Sequence, residues 1–361
     1  GAKADTIDDA EISFRIVTAV LPFNALSMAM CAAQRGIGNT RITLYVNVTS
    51  NVVNVFLNWL LINGIWIFPR WEVKGAAIAT AIGLCVGSVL ACISLVRRHE
   101  GDMGFLRLSV KDDWRFSLPA ARAVVKVGGN SMLEQIALRI GFFLYARLVA
   151  DLGTQAYASH VVCMQFLNLS FTFADGIGVA STSLVGQMLG RERPDLSHLY
   201  GKIAQRIAVV GAVLLASVIV IFRYPLVGLF TDDPTVARLS ANVMLIVALF
   251  QPLQMLSVIT SGALRGAGDT KFVARVMLIC VAIIRPVLAF SAIRLITQFF
   301  TPVYAEAAFA GAAATLTYWL AYEAPEWALL GAWAASLVDM ALRMGLVMKR
   351  FNGGKWHSIK V

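Results

Sequence analysis

Charge is what this chain has least of. Only 14% of its 361 residues are Asp, Glu, Lys or Arg, against 58% that are hydrophobic. Soluble domains carry about 25% charged residues, so a water-soluble globule is excluded. Histidine is rarer still, four in all, and the four form no ligand pattern. The five cysteines (Cys31, Cys85, Cys92, Cys163 and Cys280) all lie inside apolar runs. Their spacing supports no zinc site, and they read as reduced packing residues. No metal and no cofactor is expected. The patterns His-Glu-x-x-His and Gly-x-Ser-x-Gly are missing, as is a phosphate-cradling loop, and polar residues are spread along stripes rather than gathered at one depth. These absences argue against an enzyme.

What is present in quantity is long apolar sequence. Nine stretches of roughly 20 residues or more recur, at about 12–34, 41–64, 74–96, 124–149, 155–182, 203–223, 236–262, 273–296 and 327–348. That is the length needed to cross about 30 Å of hydrocarbon, and each must be helical because lipid offers backbone groups no partners. The net charge of +10 suggests nucleic acid only until its placement is seen. Twenty of the 31 Lys and Arg fall in alternate connections or at the C-terminus: Arg35 and Arg41, Arg97 to Lys126, Arg191 to Arg206, Arg265 to Arg275, and Lys349 to Lys360. The positive-inside rule puts this set, and the C-terminus, in the cytoplasm. The basic balance reflects topology, and no nucleic-acid partner is expected.

One phrase is written twice, 230 positions apart. Ala33-Gln34-Arg35-Gly36-Ile37-Gly38-Asn39-Thr40 returns as Ala263-Leu264-Arg265-Gly266-Ala267-Gly268-Asp269-Thr270, and Pro22 and Pro252 precede the copies at the same offset. A repeat of this length marks a duplicated structural unit. In membrane proteins such halves commonly enclose a substrate site at their interface. Aligned on the phrase, the second half has three further spans upstream, roughly 124–223, that nothing in the first half matches. About three spans, on the order of 100 residues, are therefore expected to be missing ahead of Gly1. Trp71-Glu72-Val73-Lys74-Gly75-Ala76 matches Trp327-Ala328-Leu329-Leu330-Gly331-Ala332 at the larger offset of 256, so the second half carries about 26 extra residues near Gln298 to Glu326. These are expected to form an outer-face helical or re-entrant insertion.

Polar groups inside the spans are the candidate site residues. Asn47, Asn51, Asn54 and Asn58 recur in steps of four, three and four on one helix face. Amides facing lipid would be unsatisfied, so the stripe faces protein or a wet cavity. Two readings stand: cavity lining, chiefly by Asn54 and Asn58, or hydrogen-bonded glue between helices. Glu134 lies about ten residues into its span, roughly 15 Å deep at 1.5 Å per residue. An ionisable group at that depth is costly and usually functional. A carboxyl that is neutral when protonated and anionic when it holds a cation exchanges the two, which is antiport chemistry. The structural alternative is an ion pair with Arg139 or Arg285, or a role in the surroundings of Asp175. Asp339 with Arg343, and Arg147 with Asp151, are spaced to neutralise each other on one helix. Arg285 is expected in a salt bridge within its half. Asp175 reads as a cap or hydrogen-bond partner of a glycine-loosened segment, or as an ion ligand. Tyr157, Gln165 and Asn168 read equally well as cavity lining or as interhelical contacts.

Several stretches resemble the multidrug and toxic compound extrusion transporters, the MATE family. They are Leu264-Arg265-Gly266-Ala267-Gly268-Asp269-Thr270, Asp175-Gly176-Ile177-Gly178-Val179-Ala180, Leu184-Val185-Gly186-Gln187 with Leu189-Gly190, and Arg350-Phe351 with Gly354-Lys355-Trp356. The resemblance implies an all-α membrane protein of two pseudo-symmetric six-helix lobes, of which about nine transmembrane helices are present here. Residues 1–98 would be family helices 4–6, 99–123 a cytoplasmic inter-lobe linker, and 124–361 family helices 7–12. It further implies efflux of cationic or amphipathic compounds by antiport with H⁺ or Na⁺, through alternating access between the lobes. The partners would be small molecules and the bilayer of the cytoplasmic membrane, and the protein is expected to act as a monomer. In the motif, Arg35, Gly36, Arg265 and Gly266 would be turn or hinge residues, the glycines for tight backbone and the arginines for the head-group region. Departures from the family pattern matter as well. Asn58 stands where the proton-coupled archaeal branch has Asp, and the Gly-x-Pro run before the family Glu reads Gly128-Gly129-Asn130. The sodium-coupled branch's two acids fall on Leu138 and Gln254, which argues for protons. Glu134 would bind the ion or cargo, with Asn54, Asn58 and Gln254 lining the cavity. Two alternatives remain open: a flippase for lipid-linked oligosaccharides of the same superfamily, and an inactive truncated fragment.

Overall fold

The computed structural model describes residues 4–64, 69–96, 106, 117–309, 314–354 and 356, with side chains omitted at 4–9 and 299–325. Among these residues the chain is helical throughout. It divides into two compact units, Gly1–Arg115 and Phe116–Val361, with the boundary inside the expected 99–123 linker. Most of that linker, 99–105 and 107–116, lies outside the described residues.

The N-terminal unit consists of α1 (Ala4–Gly36), α2 (Thr40–Asn63) and α3 (Glu72–Val96). Asn39 caps α2, its Oδ1 accepting from the Ile42 amide, and Gly64 ends it with φ 65°. The C-terminal unit begins with α4 (Leu118–Ala150), α5 (Thr154–Gly190), α6 (Pro194–Gly228) and α7 (Pro234–Gly266). After the repeated turn come α8 (Thr270–Met277), a π-helical segment Leu278–Ile284, α9 (Arg285–Phe309) and α10 (Ala314–Asn352). Prolines open three of these helices, in the first turn where their missing N–H costs nothing. At α7 the Asp233 carboxylate adds two cap hydrogen bonds, to the Thr235 and Val236 amides. The extra residues of the second half lengthen α9 to Phe309 and start α10 at Ala314.

Eight of these helices, counting Thr270–Gln298 as one, are long and apolar enough to cross a membrane. The ninth expected span forms α4, which is not among the eight; it carries Arg122, Lys126, Glu134, Arg139 and Arg147.

The duplication is visible in hydrogen bonds. In the first copy the amides of Ile37, Gly38 and Asn39 donate to the carbonyls of Ala33, Arg35 and Gln34 at 3.3, 3.0 and 2.9 Å. In the second, Ala267, Gly268 and Asp269 donate to Ala263, Arg265 and Leu264 at 3.0, 3.0 and 2.9 Å. Gly38 and Gly268 take the left-handed φ of 96° and 82° that makes glycine the natural residue there. Helix packing repeats too. In the first copy α3 packs along both α1 and α2, which barely touch each other; in the second α10 packs along α7 and α9 in the same way.

α5 and α7 form the most extensive helix pair, and small residues are the reason. A Cβ on Gly262 would stand 2.5 Å from the Gly178 carbonyl oxygen, and one on Gly266 would stand 2.2 Å from that of Thr182. Thr182 Oγ1 donates to both the Gly178 and Gly262 carbonyls, at 2.8 and 2.7 Å. The Asp-Gly-Ile-Gly and Leu-Val-Gly-Gln stretches thus lie on a backbone-to-backbone crossing. The C-terminal motif is a clasp. Phe351, Trp356 and His198 stack, Trp356 donates to the Phe351 carbonyl at 2.7 Å, and Gly201 leaves room for the Phe351 ring.

Candidate ion and substrate site

Among the described residues of the C-terminal unit three carboxylates are buried: Glu134, Asp269 and Asp339. Each faces an arginine. On α10, Asp339 Oδ2 accepts from Arg285 Nε at 2.9 Å, both side chains almost fully enclosed. At the repeated turn, Asp269 Oδ2 accepts from Arg350 Nε at 2.7 Å. On α4, Glu134 Oε1 accepts from Arg265 Nη1 at 3.3 Å, and Arg265 stays 26% exposed.

These pairings correct the sequence-based expectations. Glu134 meets neither Arg139 nor Arg285 but Arg265, the arginine of the repeated phrase. Arg265 therefore points inward onto α4, which packs along the segment that follows the turn, from α8 to Ile284. Asp339 pairs with Arg285 across helices, not with Arg343 four residues along. Arg343 instead reaches Met277 Sδ at 3.6 Å and keeps Nε and Nη2 without a hydrogen bond, at 1% exposure. Arg147 and Asp151 form no ion pair; the Asp151 amide closes α4 on the Arg147 carbonyl at 3.2 Å. Gly266 ends α7 at the turn, in close contact with Thr182. Its counterpart Gly36 has nothing within 4 Å of its Cβ position.

The π-helical segment positions Glu134. Its widened turn pushes the Val281 carbonyl so close to α4 that a Cβ on Gly141 would stand 2.3 Å from that oxygen. Gly141 and Glu134 are two turns apart on one face of α4, so this contact sets the helix rotation that aims Glu134 at Arg265. Arg285 follows directly on the π turn, with its guanidinium 5.2 Å from the Phe142 ring centre. Sequence periodicity carries no signal for a π turn. At the α5–α7 contact Gly178, Thr182 and Gly186 recur in steps of four, as do Gly262 and Gly266 opposite them.

The remaining candidates divide. Gln254 on α7 is fully enclosed, and neither amide atom makes a hydrogen bond. Gln251, Ser257 and Ser261 on the same helix also keep unpaired polar atoms. Asp175 lies exposed on α5. In the N-terminal unit the asparagines form a ladder: Asn58 Nδ2 donates to Asn54 Oδ1 at 3.1 Å, and Asn54 Nδ2 to Thr80 Oγ1 on α3 at 3.4 Å. Asn54 thus serves as interhelical glue, while Asn58 Oδ1 makes no hydrogen bond. Arg35 ends α1 half-buried. Outside the carboxylate sites, an apolar groove of about 610 Å³ runs between α6 and α7 beside Pro252.

The MatE family model matches residues 1–60 and 131–291, most of the chain. The chain belongs to the MatE family. A probable multidrug resistance protein NorM from Thermotoga maritima is 28% identical over 333 residues, 91% of this chain and 64% of that protein. The chain thus spans less than two thirds of this relative's length. Two solved structures share the fold. A MATE protein in a bent conformation aligns with TM-score 0.77 at 17% identity, over 98% of this chain and 71% of its own. A Vibrio cholerae MATE transporter aligns with TM-score 0.76 at 18% identity, over 99% and 73%. MatE proteins are transporters, not enzymes, and the all-helical, multi-pass architecture expected from the sequence is the one these structures have.

Proposed function

We propose that this MatE protein exports cationic or amphipathic compounds across the cytoplasmic membrane in exchange for H⁺ or Na⁺, by alternating access, with Glu134 as the exchanging carboxylate. One observation carries the assignment. Of the three carboxylates buried among the described residues, Glu134 lies farthest from its arginine, at 3.3 Å, whereas Asp269 and Asp339 hold theirs at 2.7 and 2.9 Å. Arg265 is 26% exposed where Arg285 is enclosed, and Arg350, exposed to the same degree, is held at the shorter distance, so Glu134 is the acid whose partner leaves at least cost.

The exchange follows from charge. While anionic, Glu134 attracts Arg265 or, in its place, a cationic cargo or sodium ion; a proton on the carboxyl removes that attraction and frees the site. Coupling requires only that proton and cation bind the same group on opposite faces of the membrane. The family membership and the relative's name as a multidrug resistance protein support the substrate class. The C-terminus is placed in the cytoplasm and the protein acts as a monomer on this reading. Ethidium efflux driven by a pH gradient tests it, in cells expressing the gene with Glu134 or with Glu134→Gln. The glutamine keeps the shape and cannot ionise, so efflux falls at least about tenfold, a loss of some 1.4 kcal/mol in coupling. Unchanged efflux removes Glu134 from the mechanism.

A further inference from the structure

A polar cavity of about 360 Å³ opens where the repeated turn meets α4, α8 and α10. Lys126 and Asn130 line it from α4, Lys271 and Arg275 from α8, and Arg350 from α10. Four cations therefore face one carboxylate, Asp269, which Arg350 already occupies at 2.7 Å. Lys126, Lys271 and Arg275 have no carboxylate partner among the described residues. Arg350 is held in place by the Phe272 ring, 5.2 Å from its guanidinium carbon, and Asn130 by Thr270 Oγ1 at 3.1 Å.

The two copies of the turn differ at this point. Asn39 turns its side chain back to cap α2 through the Ile42 amide. Asp269, its counterpart, spends its carboxylate on Arg350, and no side chain caps α8. The uncapped first turn of α8, Thr270 to Phe272, lines the cavity beside the cations, an arrangement that suits an anion. The same helix continues past the cavity as an apolar surface. Lys271, Arg275 and Ile279 recur in steps of four, and Leu278 and Ile279 are both about half exposed.

We infer that this cavity binds the phosphate diester of an anionic phospholipid, with Lys126, Lys271, Arg275 and Arg350 on the phosphate and the acyl chains along Leu278 and Ile279. The shared chemistry is a phosphate anion; the apolar continuation of the cationic face favours the lipid over free phosphate. Interfacial cations of this kind contribute about fivefold each to anionic-lipid affinity. The test is equilibrium binding of short-chain phosphatidylglycerol, phosphatidylcholine and inorganic phosphate to the purified 361-residue chain in neutral detergent. Phosphatidylglycerol is expected to bind most tightly. Lys271→Gln with Arg275→Gln weakens it about 25-fold on that scale, and Lys126→Gln alone about fivefold, while Lys271→Arg with Arg275→Lys retains it. Both α8 side chains are exposed, so these variants leave the core intact. Equal binding of the two lipids, or a double glutamine variant with undiminished affinity, overturns the site. Inorganic phosphate binding as tightly as phosphatidylglycerol overturns the lipid and leaves a free-phosphate site.

Discussion

At the scale of single residues, the C-terminal unit is organised by which arginine each buried carboxylate finds. Arg285 and Asp339 are the most enclosed ion pair among the described residues, with Nη2 2.9 Å from Oδ2, and Asp339 Oδ1 lacks a hydrogen bond. Such a pair adds little net stability, yet losing one partner strands the other charge in apolar surroundings. Asp339→Ala is therefore expected to cost about 3–5 kcal/mol, read as a lowered unfolding midpoint in detergent. Asp339→Leu combined with Arg285→Met should recover most of that loss, because both charges then leave together. If the single change leaves the midpoint where it was, Arg285 has another partner and the pairing is wrong. Composition announced that charges lay inside the spans, but not who meets whom. Asp339 and Arg343 have the spacing for a pair on one helix, yet the rotation of α10 sends them to different neighbours. That rotation is set by tertiary packing, which spacing on one helix does not encode.

At the scale of helices, glycine has a different meaning in each copy of the repeated phrase. Gly266 is pressed against the Thr182 carbonyl, while the Cβ position of Gly36 is open. Gly266→Ala should destabilise by about 1–3 kcal/mol, because backbone must move to admit the methyl group. Gly36→Ala should be neutral, or stabilising by up to about 1 kcal/mol, since alanine is the better helix residue. Thermal unfolding of the two variants in parallel checks this, and a shared sign would contradict the packing described. The helices, the repeat and the tight turn were legible because apolar length and glycine spacing are local signals. The π-helical segment was not, since Leu278–Ile284 reads as ordinary apolar helix. Its consequence, the approach of Val281 to Gly141 that aims Glu134, was equally hidden. Glu134 was legible by depth alone; its partner Arg265 had been placed in the head-group region.

At the scale of the molecule, the duplicated turn and the duplicated packing pattern show one three-helix module used twice, embellished in the second copy by the π turn and the C-terminal clasp. Orientation across the membrane then follows from where the cations gather. α6 is 35 residues long and kinks at Phe222; the stretch before the kink, Pro194 to Ile221, is about 42 Å at 1.5 Å per residue, already beyond the roughly 30 Å hydrocarbon thickness. Its ends must emerge on opposite faces. Arg191, Arg193, Lys202 and Arg206 crowd its start, whereas Arg223 alone lies near its end. The basic end should be cytoplasmic. With the five native cysteines replaced by alanine, Arg191→Cys should react with a membrane-impermeant maleimide in inside-out vesicles and not in intact cells. Asp232→Cys, exposed just beyond the other end, should show the reverse. Labelling of both from one face would mean that α6 does not cross. Reversed sidedness would keep the crossing but turn the chain over, and with it the leaflet that meets Lys271, Arg275 and Arg350.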